Sequence, residues 1–71
     1  MLDYKKLQML RKANGWTYTQ LLTELAQQHG IYVPPSSMRA YEKGGIKRCP
    51  PELLLALAKL YDVQPEELLT R

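Results

Sequence analysis

Proline and glycine punctuate this chain so closely that they leave room only for short helices. Pro34-Pro35 and Gly44-Gly45 enclose residues 36–43, Pro50-Pro51 opens a later segment, and Asn14-Gly15 and Gly30 close two earlier ones. Proline pushes the residue before it out of helical space but suits the first helical turn, where its missing N–H costs nothing. Glycine, and less often asparagine, takes the left-handed conformation that ends a helix. Between these marks the apolar residues recur with a helical period. No repeat, low-complexity tract or linker interrupts the 71 residues.

The spacing predicts a first helix over 3–13, with Tyr4, Leu7 and Leu10 on one stripe and Met9 and Ala13 beside them. Thr17 and Gln20 form a capping-box pattern that starts a second helix through Leu21, Leu22, Leu25 and Ala26 to about Gly30. Residues 31–33 read as an extended link with Ile31 and Val33 turned inward. A third helix is expected from about Pro35 to Lys43, with Met38 and Tyr41 facing the core. A fourth begins at Pro51 and aligns Leu54, Leu57, Ala58 and Tyr61. The 65–69 stretch makes a short last helix with its acids at the N-terminal end. The fold class is all-α: a compact bundle of four to five short helices without a sheet, in one domain spanning residues 1–71. The predicted core is Leu7, Leu10, Trp16, Leu21, Leu25, Val33, Met38, Tyr41, Leu54, Leu57, Ala58 and Val63.

Size and composition narrow the function. A chain this short has no room for a cleft between two lobes, and its core supplies only about 3–5 kcal/mol. The single cysteine, Cys49, cannot close an internal disulfide, which points to a reducing, cytoplasmic setting. The start of the chain lacks the apolar stretch of a signal peptide, and the longest apolar run, residues 53–58, is far short of a membrane span. His29 and Cys49 are the only reactive pair, without an orienting third group, so no enzyme activity, metal site or cofactor is expected. Net charge is +3, unevenly spread. Residues 1–48 carry eight Lys/Arg against three acids, and residues 49–71 carry two against four. A basic front of this kind suits a polyanionic partner; a solvated surface with an accidental split is the plainer alternative.

Three stretches carry a more specific signal: "LRKANGWT" at 10–17, "MRAYEKG" at 38–44 and "PPELLLALAKLYDVQPEELL" at 50–69. In this order the chain resembles the Cro/lambda-repressor-like helix-turn-helix family, also called the XRE family. Leu10-Arg11, Gly15 and Thr17 match its first motif; Met38, Tyr41, Glu42 and Gly44 match its recognition helix; Pro50 or Pro51, Leu54, Leu57, Ala58, Tyr61, Val63 and Leu68 match its C-terminal motif. Two departures stand out. Tyr18 occupies the place where the family usually has a phosphate-holding Gln, with Gln20 two residues later. The stretch from Leu25 to Val33 is also about six residues longer than the family's tight turn, so the second helix, the turn, or both must be longer.

The resemblance implies sequence-specific binding to double-stranded DNA by a small, repressor-like transcriptional regulator of bacterial or phage type, placed on the nucleoid. Helix 35–43 would enter the major groove. Ser36, Arg39 and Ala40 would meet base edges: Arg39 as a bidentate donor to guanine, Ala40 against a thymine methyl. Thr17, Tyr18, Ser37, Lys43, Lys47 and Arg48 would hold phosphate. Ser36 and Ser37 also have a local alternative, as first-turn residues bonding loose amides. Glu42 would be structural and paired with Arg11. Leu68 and Leu69 either join two copies into a homodimer or fold back onto the fourth helix. The rival class is a protein-interaction module on the same scaffold, with "AQQHGIYVPP" as the partner surface and no DNA binding.

Overall fold

Asp3 begins the first helix in the computed structural model, which describes residues 1–70: its side chain accepts a bond from the Lys6 amide at 3.1 Å. The elements are α1 (Tyr4–Ala13), α2 (Tyr18–His29), α3 (Pro35–Lys43), α4 (Pro51–Tyr61) and a 3-10 helix, Pro65–Leu68. The only strand-like pairing among the described residues is an isolated bridge between Leu2 and Leu69. The all-α reading and the division into four helices plus one short turn are what the structure has.

Each boundary follows from the local chemistry. At the end of α1 it is Gly15, at φ +70°, that takes the left-handed turn, while Asn14 stays right-handed and its side chain bonds the Leu10 carbonyl at 2.8 Å. The capping box of α2 is complete: the Gln20 amide donates to Thr17 Oγ1 at 3.2 Å, and the Thr17 amide to Gln20 Oε1 at 2.9 Å. Gly30 closes α2. α3 starts at Pro35 and stops at Gly44, whose φ of +83° no β-branched residue tolerates. The Tyr4 ring also covers Gly44 so closely that a Cβ there would meet ring carbon at 3.1 Å.

The core contains Leu7, Leu21, Leu25, Val33, Met38, Tyr41, Leu57 and Ala58 as expected. Leu10, Trp16, Leu54 and Val63 are half-buried against it instead. Leu2, Leu53, Ala56, Tyr61 and Leu68 fill the positions that the predicted core left out. α4 explains part of this. It is wrapped on several sides, so its buried arc is wider than one stripe and runs through Leu53 and Ala56 as well as Leu57 and Tyr61. On α1 only Leu7 is fully buried, and Met9 lies about 200° round the helix from it, facing solvent. Ala13 and Ala26 are likewise exposed, and Tyr4 is at the surface with its ring over Gly44.

The chain ends are clasped. Leu2 N–H donates to the Lys47 carbonyl at 2.8 Å, Asp3 N–H to the Leu68 carbonyl at 2.8 Å, and Thr70 N–H to the Met1 carbonyl at 2.8 Å. Leu68 is 0% exposed, so it has folded back into the core and is not at a dimer surface; only Leu69 of that pair remains accessible.

Leu57 is 1% exposed at the centre of this core. Leu57→Ala is expected to cost about 2–5 kcal/mol, most of the stability of so small a domain. Urea denaturation followed by far-UV circular dichroism measures it; a variant as stable as the parent would contradict this packing.

Candidate nucleic-acid interface

The third helix is held from behind by an ion pair. Arg11 Nε donates to both Glu42 carboxylate oxygens, at 2.9 and 3.1 Å, and Arg11 Nη1 donates to the Trp16 carbonyl at 2.7 Å. Gln8 adds a bond from its side-chain amide to the Glu42 backbone carbonyl. One arginine thus ties α1, the α1–α2 turn and α3 together. Glu42 is fully buried, so its charge is removed from the outer face of α3 and neutralised inside. The pairing expected from the family resemblance is present.

The surroundings of the pair are aromatic. Trp16 and Tyr61 rings lie 6.0 Å apart, centroid to centroid, with a 34° tilt. Burial pushes the Tyr61 hydroxyl well above the ordinary tyrosine range; the Glu42 charge pushes the same way and Arg11 opposes. For Arg11, burial acts to lower its pKa, but the bond and charge of Glu42 prevail and leave it raised. Burial also raises Tyr41, with Cys49 adding to it, and raises the Cys49 thiol itself.

With its inner face occupied by Met38, Tyr41 and Glu42, α3 turns the rest outward. At about 100° per residue, Ser36, Ala40 and Lys43 lie on the side opposite Met38, while Arg39 and Ser37 stand on the two flanks. Ser36, Arg39 and Lys43 are exposed; Ala40 is half-buried, and its carbonyl accepts from Gly45 at 2.9 Å in closing the helix. Neither serine hydroxyl bonds the loose first-turn amides, and α3 has no side-chain cap. Those amides and hydroxyls stay free at the positive end of the helix dipole. Ser37 faces a groove of about 260 Å³ shared with Tyr32, Tyr41, Pro50, Glu52 and Leu53. Arg39 leans the other way, its guanidinium carbon 5.8 Å from the centroid of the Tyr18 ring, which Arg11 also meets at 4.3 Å.

Lys47 and Arg48 are exposed in the loop after α3, and the bond from Leu2 fixes the Lys47 backbone. Thr17 is exposed at the start of α2, with Tyr18 half-buried beside it. Gln20 is used in the capping box and so does not stand in for the Gln that Tyr18 replaces. Among the described residues Arg11–Glu42 is the single ion pair, which leaves Arg39, Lys43, Lys47 and Arg48 without acidic partners. These cations come from α3 and the loop that follows it, on one continuous stretch of chain.

A family model described as a helix-turn-helix domain matches residues 5–70. The chain belongs to the helix-turn-helix domain family. No curated protein and no solved structure matches it. Membership in the family points to a DNA-binding regulator in general. In this helix-turn-helix domain α2 and α3 are the paired helices, and the extra residues are shared between a 12-residue α2 and the extended link 30–34. Tyr32, at the middle of that link, is 80% exposed. The sequence identified the link but gave no signal for the Tyr18–Arg39 approach, which depends on how α2 crosses α3. No helix is long and apolar enough to cross a membrane, and no group of three metal-ligating side chains occurs among the described residues.

Removing one partner of a buried ion pair leaves the other charge without compensation. Glu42→Ala is expected to cost about 3–5 kcal/mol, and Glu42→Gln, which retains an acceptor, less. Chemical denaturation of both variants tests this; equal and small losses would mean that the pair does not hold α3 in place.

Proposed function

We propose that this domain binds double-stranded DNA in a sequence-selective way and acts as a small, repressor-like transcriptional regulator in the cytoplasm, on the nucleoid. It is a binding protein and not an enzyme. The observation that carries the reading is the division of α3. Its acid is buried and neutralised, while Ser36, Arg39 and Lys43 face solvent and Lys47 and Arg48 follow in an anchored loop. A carboxylate left on that face would repel phosphate, and here it is withdrawn.

In this reading the N-terminal part of α3 enters the major groove. Arg39 reads a guanine through its N–H donors, Ser36 bonds a neighbouring base edge, and Ala40 lies against a thymine methyl. Thr17, Tyr18, Ser37, Lys43, Lys47 and Arg48 position the domain on phosphates, with Ser37 the least favoured because Glu52 shares its groove. A second reading has one observation in its favour. Exposed Tyr32 beside the groove suits a protein partner docked on the 30–34 link, with no DNA bound.

A salt titration of binding to duplex DNA separates the two. DNA binding weakens steeply with salt, and Lys47→Ala and Arg48→Ala are each expected to flatten the slope of log K against log salt by about one, for all sequences alike. Unchanged slopes in both variants would move the phosphate contacts elsewhere; no measurable binding by the parent favours the protein-partner reading. Arg39→Ala is expected to cost about 1–3 kcal/mol on the preferred site and much less on random duplexes, because a base contact is lost only where the right base is present. A binding profile across randomised duplexes decides it: equal losses on every sequence would make Arg39 a phosphate clamp.

A further inference from the structure

Tyr18 departs from the family pattern, and its ring meets two guanidinium groups. Arg11 is the nearer, at 4.3 Å, and its charge is already balanced by Glu42. Arg39 lies 5.8 Å away, exposed and without an acidic partner among the described residues. Two uncompensated cations at one ring would repel each other; the Arg11–Glu42 pair removes that repulsion and leaves the ring open to Arg39.

We propose that Tyr18 is a positioning residue for Arg39: its ring holds the guanidinium against the start of α2, sets where Arg39 meets a base, and so helps to choose the DNA sequence. The proposal rests on the DNA-binding reading above. Three features support it. Tyr18 is the first residue of α2, and the completed Thr17–Gln20 box fixes the turn that carries it. The ring is half-buried and braced by Arg11, so it is a rigid support. A contact through the face of an aromatic ring also takes none of the five guanidinium N–H donors, whereas a carboxylate would occupy them. Arg39 is therefore restrained without losing the groups that recognise guanine O6 and N7. Restraint before binding lessens the loss of side-chain freedom when a long arginine docks.

The test compares the parent with Tyr18→Phe, Tyr18→Leu, Arg39→Ala and the Tyr18→Leu/Arg39→Ala double variant. Affinity is measured for the parent's preferred duplex, selected from a random pool, and for the random pool itself. An exposed cation–π contact amounts to a factor of about two to five in an equilibrium. Tyr18→Leu is expected to lower the ratio of preferred to random affinity by about two- to five-fold. Tyr18→Phe keeps the ring and is expected to preserve the ratio, while losing any phosphate bond from the hydroxyl on both DNAs equally. The double variant is expected to discriminate no worse than Arg39→Ala alone. A Tyr18→Leu variant with the parent's ratio, or losses that multiply in the double variant, would overturn the proposal.

A second readout needs no DNA: the Arg39 side-chain proton shifts by NMR, in the parent and in Tyr18→Phe. Upfield ring-current shifts, kept in Tyr18→Phe, are expected; their absence in the parent would overturn the contact itself. If the shifts are present and the parent binds no duplex, the DNA-binding reading has failed, and the role in sequence choice fails with it.

Discussion

The bond between Arg11 and Glu42 is the constraint on which the arrangement of the other parts depends. A nine-residue helix such as α3 has little stability of its own, since nucleation is costly and few residues follow to offset it. It is held by its inner face, and the inner face of α3 offers only Met38, Tyr41 and Glu42. Two of these make ordinary apolar contacts. The third is a charge that can be buried only if something balances it. Arg11 does so while also bonding the Trp16 carbonyl, so the same guanidinium fixes the turn leading into α2 and the orientation of α3. A pair of apolar residues could fill that space with equal stability, but without the directional bonds that set one orientation of the helix.

This arrangement has an electrostatic result. The acid of α3 is inside, and the cations of α3 and the following loop are outside without partners among the described residues. The charge asymmetry of the chain, diffuse when counted along the sequence, becomes a surface property because one carboxylate is withdrawn from it. The extended link 30–34 adds to the separation of roles. Val33 is anchored in the core, and Pro34 and Pro35 stiffen the approach to α3, so the serines and Arg39 are offered from a support of limited freedom.

Much of the fold was legible from residues with strong local preferences. Pro35 and Gly44 mark the ends of α3, and Thr17 and Gln20 the start of α2, because these side chains dictate backbone conformation regardless of what packs on them. Burial is less legible where it depends on the neighbours. A single stripe places Leu54 inside and Leu53 outside, because it underestimates a helix covered on several sides. Leu2 has no periodic context and is buried where the two chain ends meet, and Leu68 is buried because its short helix packs back onto α4. The candidate site shows the same division. The Arg11–Glu42 pair is legible through a family resemblance carried by motif order. The approach of Arg39 to Tyr18 depends on a crossing of two helices, one of them longer than the family pattern, and no local signal encodes it.

The clasp has a consequence for the order of folding. Leu2 pairs with Leu69, and the amide of Leu2 also holds the carbonyl of Lys47. These partners are far apart along the chain, so joining them carries a loop-closure cost that the turns within each helix do not. The bonds from Asp3 to Leu68 and from Thr70 to Met1 close the same long loop. Non-local contacts of this kind form after local ones, so the loop that carries Lys47 and Arg48 gains its brace only once the helices are in place.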